Sequence, residues 1–460
     1  MRAAYAHNKK MPSLDGLSPP RKYWALTATM LAMAMTVLET TITNVALPSI
    51  ARDLGISPAQ AVWIVNTYQL AIVVALLPFS SLGEILGYRR VFGVGLTAFT
   101  IASAGCAMSQ SFTMLISFRV FQGVGAAAVM SVTPALLRFI YSQKQFGRAI
   151  GYNALVVATS SAAGPMLGSL ILSVAPWPWL FVVNLPIGLF ILSIGSRMLP
   201  ETELAKRPFD ALSASLSGLT FGLLVVGVDR LLHDFKIALA LLCGSAVAGL
   251  ALVRRELTQA TPLLPLDLLR IRPFAFSVGA SICAFSGQTI SYISLPFYFQ
   301  QVLGRSQLEM GMLMVPWPLA VAIAAPVAGR LSENIAPSVL CSIGAGLVAG
   351  GLVLISLLPA DTPNGWLMTC MVVCGTGFGM FQTPNNRVML TAAPRHRSGG
   401  AGGLQATARQ FGMALGAALV ALAFTAAAAH GPTTGLVLAA LFLAAASAVS
   451  AARSGARISG

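Results

Sequence analysis

The chain alternates between long apolar runs and short polar breaks. Fourteen runs stand out, at 23–47, 59–82, 91–109, 112–138, 149–174, 179–198, 211–228, 236–253, 274–299, 308–328, 337–358, 366–389, 401–428 and 434–452. A helix needs roughly 20 apolar residues to cross about 30 Å of hydrocarbon. Each run therefore predicts a membrane-spanning helix, and the chain reads as an all-α membrane protein with 14 transmembrane helices, or twelve where two spans are re-entrant or interfacial. An even count predicts that both termini share one side.

Composition sharpens this. The 460 residues are 56% hydrophobic and only 9% charged, against about 25% charged in a soluble domain, which excludes a soluble globular protein. The net charge of +15 raises nucleic acid as a partner, but the basic residues recur between apolar runs rather than along one face or tail. With a cytoplasmic N-terminus, the inner loops hold Arg89, Arg90, Lys144, Arg148, Lys206, Arg207, Arg254, Arg255, Arg270, Arg272, Arg330, Arg395 and Arg397. The outer loops hold only Arg52, Arg230, Lys236 and Arg305. That asymmetry follows the positive-inside rule and predicts an inner-membrane protein with both ends cytoplasmic and no nucleic-acid role. Residues 1–22 read as a polar tail ending in Pro19-Pro20-Arg21-Lys22, and the first apolar run as an uncleaved helix. The six cysteines all lie in apolar runs, with neither zinc nor disulfide spacing; no metal and no cofactor is expected.

Ser80-x-Leu82-x-Glu84 ends the second run and Gly329-x-Leu331-x-Glu333 ends the tenth, 249 residues later. This predicts two similar halves, a six-helix bundle at 23–198 and another at 274–452, with two inserted helices at 211–253. Parallel repeats of this kind are a known transporter plan.

Several segments carry candidate chemistry. Ser80-Ser-Leu-Gly-Glu84-Ile-Leu-Gly87-Tyr-Arg89-Arg90 forms a tight turn between two helices. Glu39 lies deep in the first run, within Leu38-Glu39-Thr40-Thr41-Ile42-Thr43-Asn44-Val45-Ala46-Leu47-Pro48. A carboxylate there costs about 2.5–3.5 kcal/mol on insertion scales, which marks it as functional by default. A carboxyl group held there is a candidate for taking up and releasing a proton. Arg119 opens Arg119-Val-Phe-Gln122-Gly123-Val-Gly125-Ala126-Ala127; it and Glu39 each lie roughly 11–12 Å below the outer helix ends, at 1.5 Å per residue. Ser160-Ser161-Ala-Ala-Gly164-Pro165-Met-Leu-Gly168-Ser169 predicts a kinked, closely packed fifth helix. Trp177-Pro-Trp179-Leu-Phe-Val-Val-Asn184-Leu-Pro186-Ile-Gly188 suits an interfacial belt and reads as architectural.

Together these segments resemble the major facilitator superfamily, specifically its fourteen-helix drug:proton antiporter branch, over nearly the whole chain. Ser80 and Glu84 stand where that pattern has Gly and Asp, Glu39 where it has Asp, and Ser160 and Ser169 where it has Gly. Phe381-Gln382-Thr-Pro384-Asn385-Asn386-Arg387 and Arg409-Gln410-Phe-Gly412 look like further branch segments; their polar groups either line a cavity or bond between helices. The resemblance implies two six-helix bundles plus two extra helices. It implies proton coupling at Glu39 and Arg119, and gating by Glu84, Gly87, Arg89, Arg90, Gly164 and Pro165.

Substrate is expected near the midplane between the halves, at Trp63, Asn66, Gln69, Gln122, Tyr152, Asn153, Gln288, Tyr292, Trp317, Gln382 and Asn385. An aromatic lining with one carboxylate suits lipophilic or cationic drug-like compounds. The expected partners are a small-molecule substrate, protons and the lipid bilayer, and the protein is expected to act as a monomer. No Gly-x-x-x-x-Gly-Lys-Ser/Thr loop occurs, and the four histidines lie in tails or loops, so neither an ATP-driven pump nor an enzyme is indicated. The alternative is an uncoupled or importing facilitator of the same fold for a small metabolite.

Overall fold

A computed structural model describes residues 16–142, 146–202, 204–205, 208–231, 234–259, 266–393, 398–427 and 430–455. Most of the expected N-terminal tail, and the loop residues Lys144, Lys206, Arg207, Arg395 and Arg397, lie outside the described residues. The rest is helical. The first half comprises α1 (Arg21–Asp53), α2 (Pro58–Leu86), α3 (Tyr88–Ala107), α4 (Phe112–Ile140), α5 (Phe146–Val174), a short α6 (Trp179–Val182) and α7 (Asn184–Met198). An inserted hairpin follows, α8 (Ala211–Arg230) and α9 (Phe235–Glu256). The second half holds α10 (Arg272–Phe297), α11 (Gln307–Met314), α12 (Pro316–Asn334), α13 (Pro337–Leu357), α14 (Asn364–Ala392), α15 (Ser398–Ala426) and α16 (Gly431–Gly455). Short helices α6 and α11 run on into α7 and α12, so each pair occupies one expected run.

Among the described residues, twelve helices are long and apolar enough to cross a membrane. The two other long helices, α10 and α14, are more polar; α10 alone buries Ser277, Ser281, Ser286, Thr289, Ser291 and Ser294. The exterior is apolar, with exposed Val94, Ile101, Leu189, Val247, Ile323, Leu347 and Leu441, as lipid contact requires.

Helix starts explain where the spans begin. Ser57 caps α2 in a reciprocal capping box with Gln60, and Ser306 does the same for α11 with Glu309; each satisfies otherwise orphaned backbone N–H groups. Both boxes repeat at the 249-residue offset of the Glu84 and Glu333 segments. Glycine approaches repeat as well. A Cβ on Gly125 would lie 2.6 Å from the Gly95 carbonyl, and one on Gly377 would lie 2.5 Å from that of Gly344. These contacts lock α3 to α4 and α13 to α14 through small residues.

The hydrophobic interior shows how the halves meet. One cluster runs the height of the second bundle, from Cys341 to Ile355 and from Ala280 to Phe299. It continues into the first bundle through Ile42–Ile50, Ala61–Val65 and Trp177–Phe181, at the face opposite the termini. Toward the terminal face the first bundle has a core of its own, around Phe92, Val132 and Leu136. The halves are thus packed together at the opposite face, where Ser49 donates to Gln307 at 3.3 Å.

Candidate functional site

Every residue of α1 from Glu39 to Pro48 is buried, because helices surround this stretch on all sides. Glu39 is 3% exposed and Arg119 is fully buried. Nη1 of Arg119 donates to Glu39 Oε1 at 2.6 Å and to Gln122 Oε1 at 2.7 Å, and its Nε donates to the Ile64 carbonyl at 2.9 Å. Nδ2 of Asn184 donates to Glu39 Oε2 at 2.7 Å. The Thr43 hydroxyl lies 3.2 Å from Oε1, and Gln122 donates onward to Ser103 Oγ at 2.9 Å. The Tyr68 ring lies 4.2 Å from the guanidinium carbon. Five helices, α1, α2, α3, α4 and α7, converge on one ion pair.

Both carboxylate oxygens are held by donors, and the pair is neutral overall, which lowers the cost of keeping two charges in hydrocarbon. Arg119 Nη2 is buried with no partner among the described residues. Protonating Glu39 would remove the charge that Arg119 faces, so the cluster has two electrostatic states. Asn184, read from sequence as architectural, belongs to it. Its signal was an amide placed among apolar residues, Leu180 to Ile187.

The remaining expected site residues fall into separate groups. On α2, Asn66 and Gln69 are buried, and all four of their amide atoms lack partners among the described residues. Tyr292 and Trp317 meet edge to face at 5.2 Å, with Gln288 in hydrogen-bonding reach of the tyrosine and the Trp317 Nε1 without a partner among the described residues. Trp63 instead donates to Asp229 of the inserted hairpin at 3.0 Å. It lines a cavity of about 590 Å³ with Gln60, Gln301, Phe424 and Thr425, at the opposite face. Tyr152 is exposed, and Asn153 and Gln382 are half-buried. Asn385 lies inside the second bundle, where it donates to Ser281 Oγ at 2.8 Å and accepts from Arg453 at 3.1 Å.

Of the gating residues, Gly87 has φ +97°, a conformation that favours glycine, and it turns the chain from α2 into α3. Arg89 pairs with Glu201 at 3.2 Å and bonds the Ser196 carbonyl. The Glu84 carbonyl accepts from Ala205 at 2.8 Å. Arg90 is exposed. The turn is therefore tied to the segment that leaves α7. Gly164 and Pro165 are buried in α5; a Cβ on Gly164 would collide with Thr41, two residues beyond Glu39.

The model of the Major Facilitator Superfamily matches residues 29–417. The chain belongs to this family. It is 45% identical to the uncharacterized transporter YebQ of Escherichia coli K12, over 95% of this chain and 97% of that one. It is 31% identical to the riboflavin transporter RibZ of Clostridioides difficile, over 86% and 87%. It is also 31% identical to the multidrug efflux pump LfrA of Mycolicibacterium smegmatis, over 89% and 82%. In fold it is similar to a crystal structure of a POT family transporter in complex with 5-aminolevulinic acid, with a TM-score of 0.72 at 14% identity, covering 95% of this chain and 96% of that one. The protein is a multi-pass membrane transporter, not an enzyme.

Proposed function

We propose that the protein is a proton-coupled antiporter that exports small organic, drug-like compounds across the inner membrane by alternating access. The observation that carries this is the buried Glu39–Arg119 pair with its Asn184 and Thr43 donors. Protonation of Glu39 from the outer side weakens its hold on Arg119 and frees α1 to move against α4. Release of that proton inward restores the pair. Gly164 and Gly168 of α5 press on Thr41 and Ile42, and α5 in turn meets α11 of the second half where Ser169 abuts Gly311. A short mechanical path thus joins the acid to the seam between the halves. Gly87, Arg89 and the Glu84 carbonyl hold the opposite end of the first bundle in register during the rocking. Each unit charge moved is driven by about 2.3 kcal/mol per 100 mV.

Fourteen spans with both termini cytoplasmic is the topology we favour. It rests on the fourteen long helical segments and the basic loops, and it matches the drug:proton branch; a monomer suffices for the cycle. Efflux of drug-like compounds is supported by the similarity to LfrA. The test is a susceptibility panel in a pump-deficient strain expressing wild type or Glu39→Gln at equal membrane levels. Wild type is expected to raise the inhibitory concentration of several compounds at least fourfold, and Glu39→Gln none. Equal protection by both would remove Glu39 from coupling.

Both oxygens of Glu39 are engaged by protein donors, so a cationic substrate would be met by aromatic faces rather than by this carboxylate.

A further inference from the structure

Three arginines sit within the helical bundle, and the protein treats them differently. Arg119 is neutralised by Glu39. Arg453 is buried among neutral acceptors, bonding Ser277 Oγ at 2.7 Å and Asn385 Oδ1 at 3.1 Å. Arg409 has neither. Among the described residues it donates no hydrogen bond and pairs with no carboxylate, and its Nε is completely buried without a partner. It lies in the eleventh position after Ser398 on α15, about 17 Å along the helix at 1.5 Å per residue, so it is far from either end.

Its direction follows from its neighbours on the helix. Gly412 and Gly416 press against Ile282 and Ser286 of α10. Gln410 reaches Met130 of α4 at 3.9 Å, and Ala406 packs on the core of the first bundle. With 100° per residue, Arg409 falls between the α10 face and the face turned to the first half. Its guanidinium therefore points into the seam where the halves separate. Met413, one turn closer to the opposite face, packs into the cluster that seals the seam there. An uncompensated guanidinium at mid-helix is expensive, and its planar fork matches a carboxylate or similar oxyanion in bidentate fashion.

We propose that Arg409 is a specificity-determining residue and that the transported compounds are organic anions, bound through an oxyanion by the Arg409 guanidinium. The proposal rests on the exporter reading above, but binding alone tests it. The probes are fluorescein, an aromatic carboxylate, and rhodamine 6G, a cation of related shape, titrated by fluorescence anisotropy against the purified full chain in nanodiscs. Fluorescein is expected to bind wild type, to lose at least tenfold in affinity with Arg409→Gln, and to recover in part with Arg409→Lys. Glu39→Gln should leave fluorescein binding within threefold while abolishing proton-driven flux, so failure of coupling and failure of anion recognition are separable. Thermal melts of each variant in the same nanodiscs verify folding; Arg409→Lys, which keeps the charge, serves if the glutamine variant unfolds. Equal fluorescein affinity in wild type and Arg409→Gln would overturn the proposal, as would a wild type that binds rhodamine 6G and not fluorescein.

Discussion

At the residue scale, Glu39 and Arg119 depend on each other. Removing one partner of a buried pair strands the other charge and costs about 3–5 kcal/mol, whereas removing both can be nearly neutral. Arg119→Leu is therefore expected to lower the melting temperature sharply, and Glu39→Gln combined with Arg119→Leu to recover most of that loss without recovering coupled transport. A double-mutant cycle read by thermal unfolding checks this; additive effects would mean that the pair is not energetically coupled. The pairing was legible in the sequence because a lone carboxylate and an arginine lay at matched depth in apolar helices. Asn184 was not, since nothing in linear order shows that α7 brings its amide onto the second carboxylate oxygen. Asn385 and Trp63 were equally opaque. Each is a polar residue in a membrane helix, and only the three-dimensional packing shows that one ties the second bundle together and the other holds the inserted hairpin.

At the scale of elements, glycines decide which helices approach. Gly125 faces the Gly95 carbonyl and the Phe99 backbone, whereas Gly93 on the neighbouring turn meets nothing within 4 Å. Gly125→Val is expected to separate α3 from α4 and destabilise by about 1–3 kcal/mol or more, and Gly93→Val to change little; melting curves of the two variants decide. The inserted hairpin has its own fastenings. Asp210 caps α8, accepting from the Ser213 N–H at 3.0 Å, and it pairs with Arg255 of α9 at 3.0 Å. Partial burial pushes the Asp210 carboxyl up, but the bonds from Ser213 and Arg255 outweigh it and hold the group below its usual range. A depressed folded-state pKa gives stability that is present at neutral pH and lost as the pH falls through that pKa. Asp210→Asn is thus expected to flatten the acid limb of the stability profile of the hairpin, followed by protease cleavage on either side of α8 and α9. Helix positions were readable from apolar run lengths. The subdivision into α6 with α7 and α11 with α12 does not show in run length, and only Asn184 with Pro186 and Pro316 mark the two breaks.

At the scale of the molecule, the repeat is broken in an informative way. At the offset of 249 residues Glu39 of α1 corresponds to Gln288 of α10, and Tyr68 to Trp317. The glycines of α4 and α14 align at 252, which places Met371 opposite Arg119. The ion pair therefore belongs to one half only, while the equivalent place in the other half holds the neutral Gln288, Tyr292 and Trp317. We read this as a division of labour, with protons handled by the first bundle and cargo held against the second. The seam between them is closed at the face opposite the termini, where Ser169 abuts Gly311. A disulfide between cysteines placed at these two positions, in a background without the native cysteines, is expected to arrest transport and to release it on reduction. Unimpaired transport in the cross-linked protein would mean that these helices do not part. One short repeat suggested two halves; the one-sided ion pair was not legible, because it appears only when equivalent positions are compared.

The central claim is that protonation of Glu39 drives export. The most direct measurement is uphill substrate movement in proteoliposomes with a pH gradient as the sole energy source, using a substrate identified by the susceptibility panel. Wild type is predicted to concentrate that substrate severalfold against its gradient while protons flow the other way. Glu39→Gln is predicted to equilibrate it and go no further. Uphill movement by Glu39→Gln, or equilibration alone by wild type, would contradict the account.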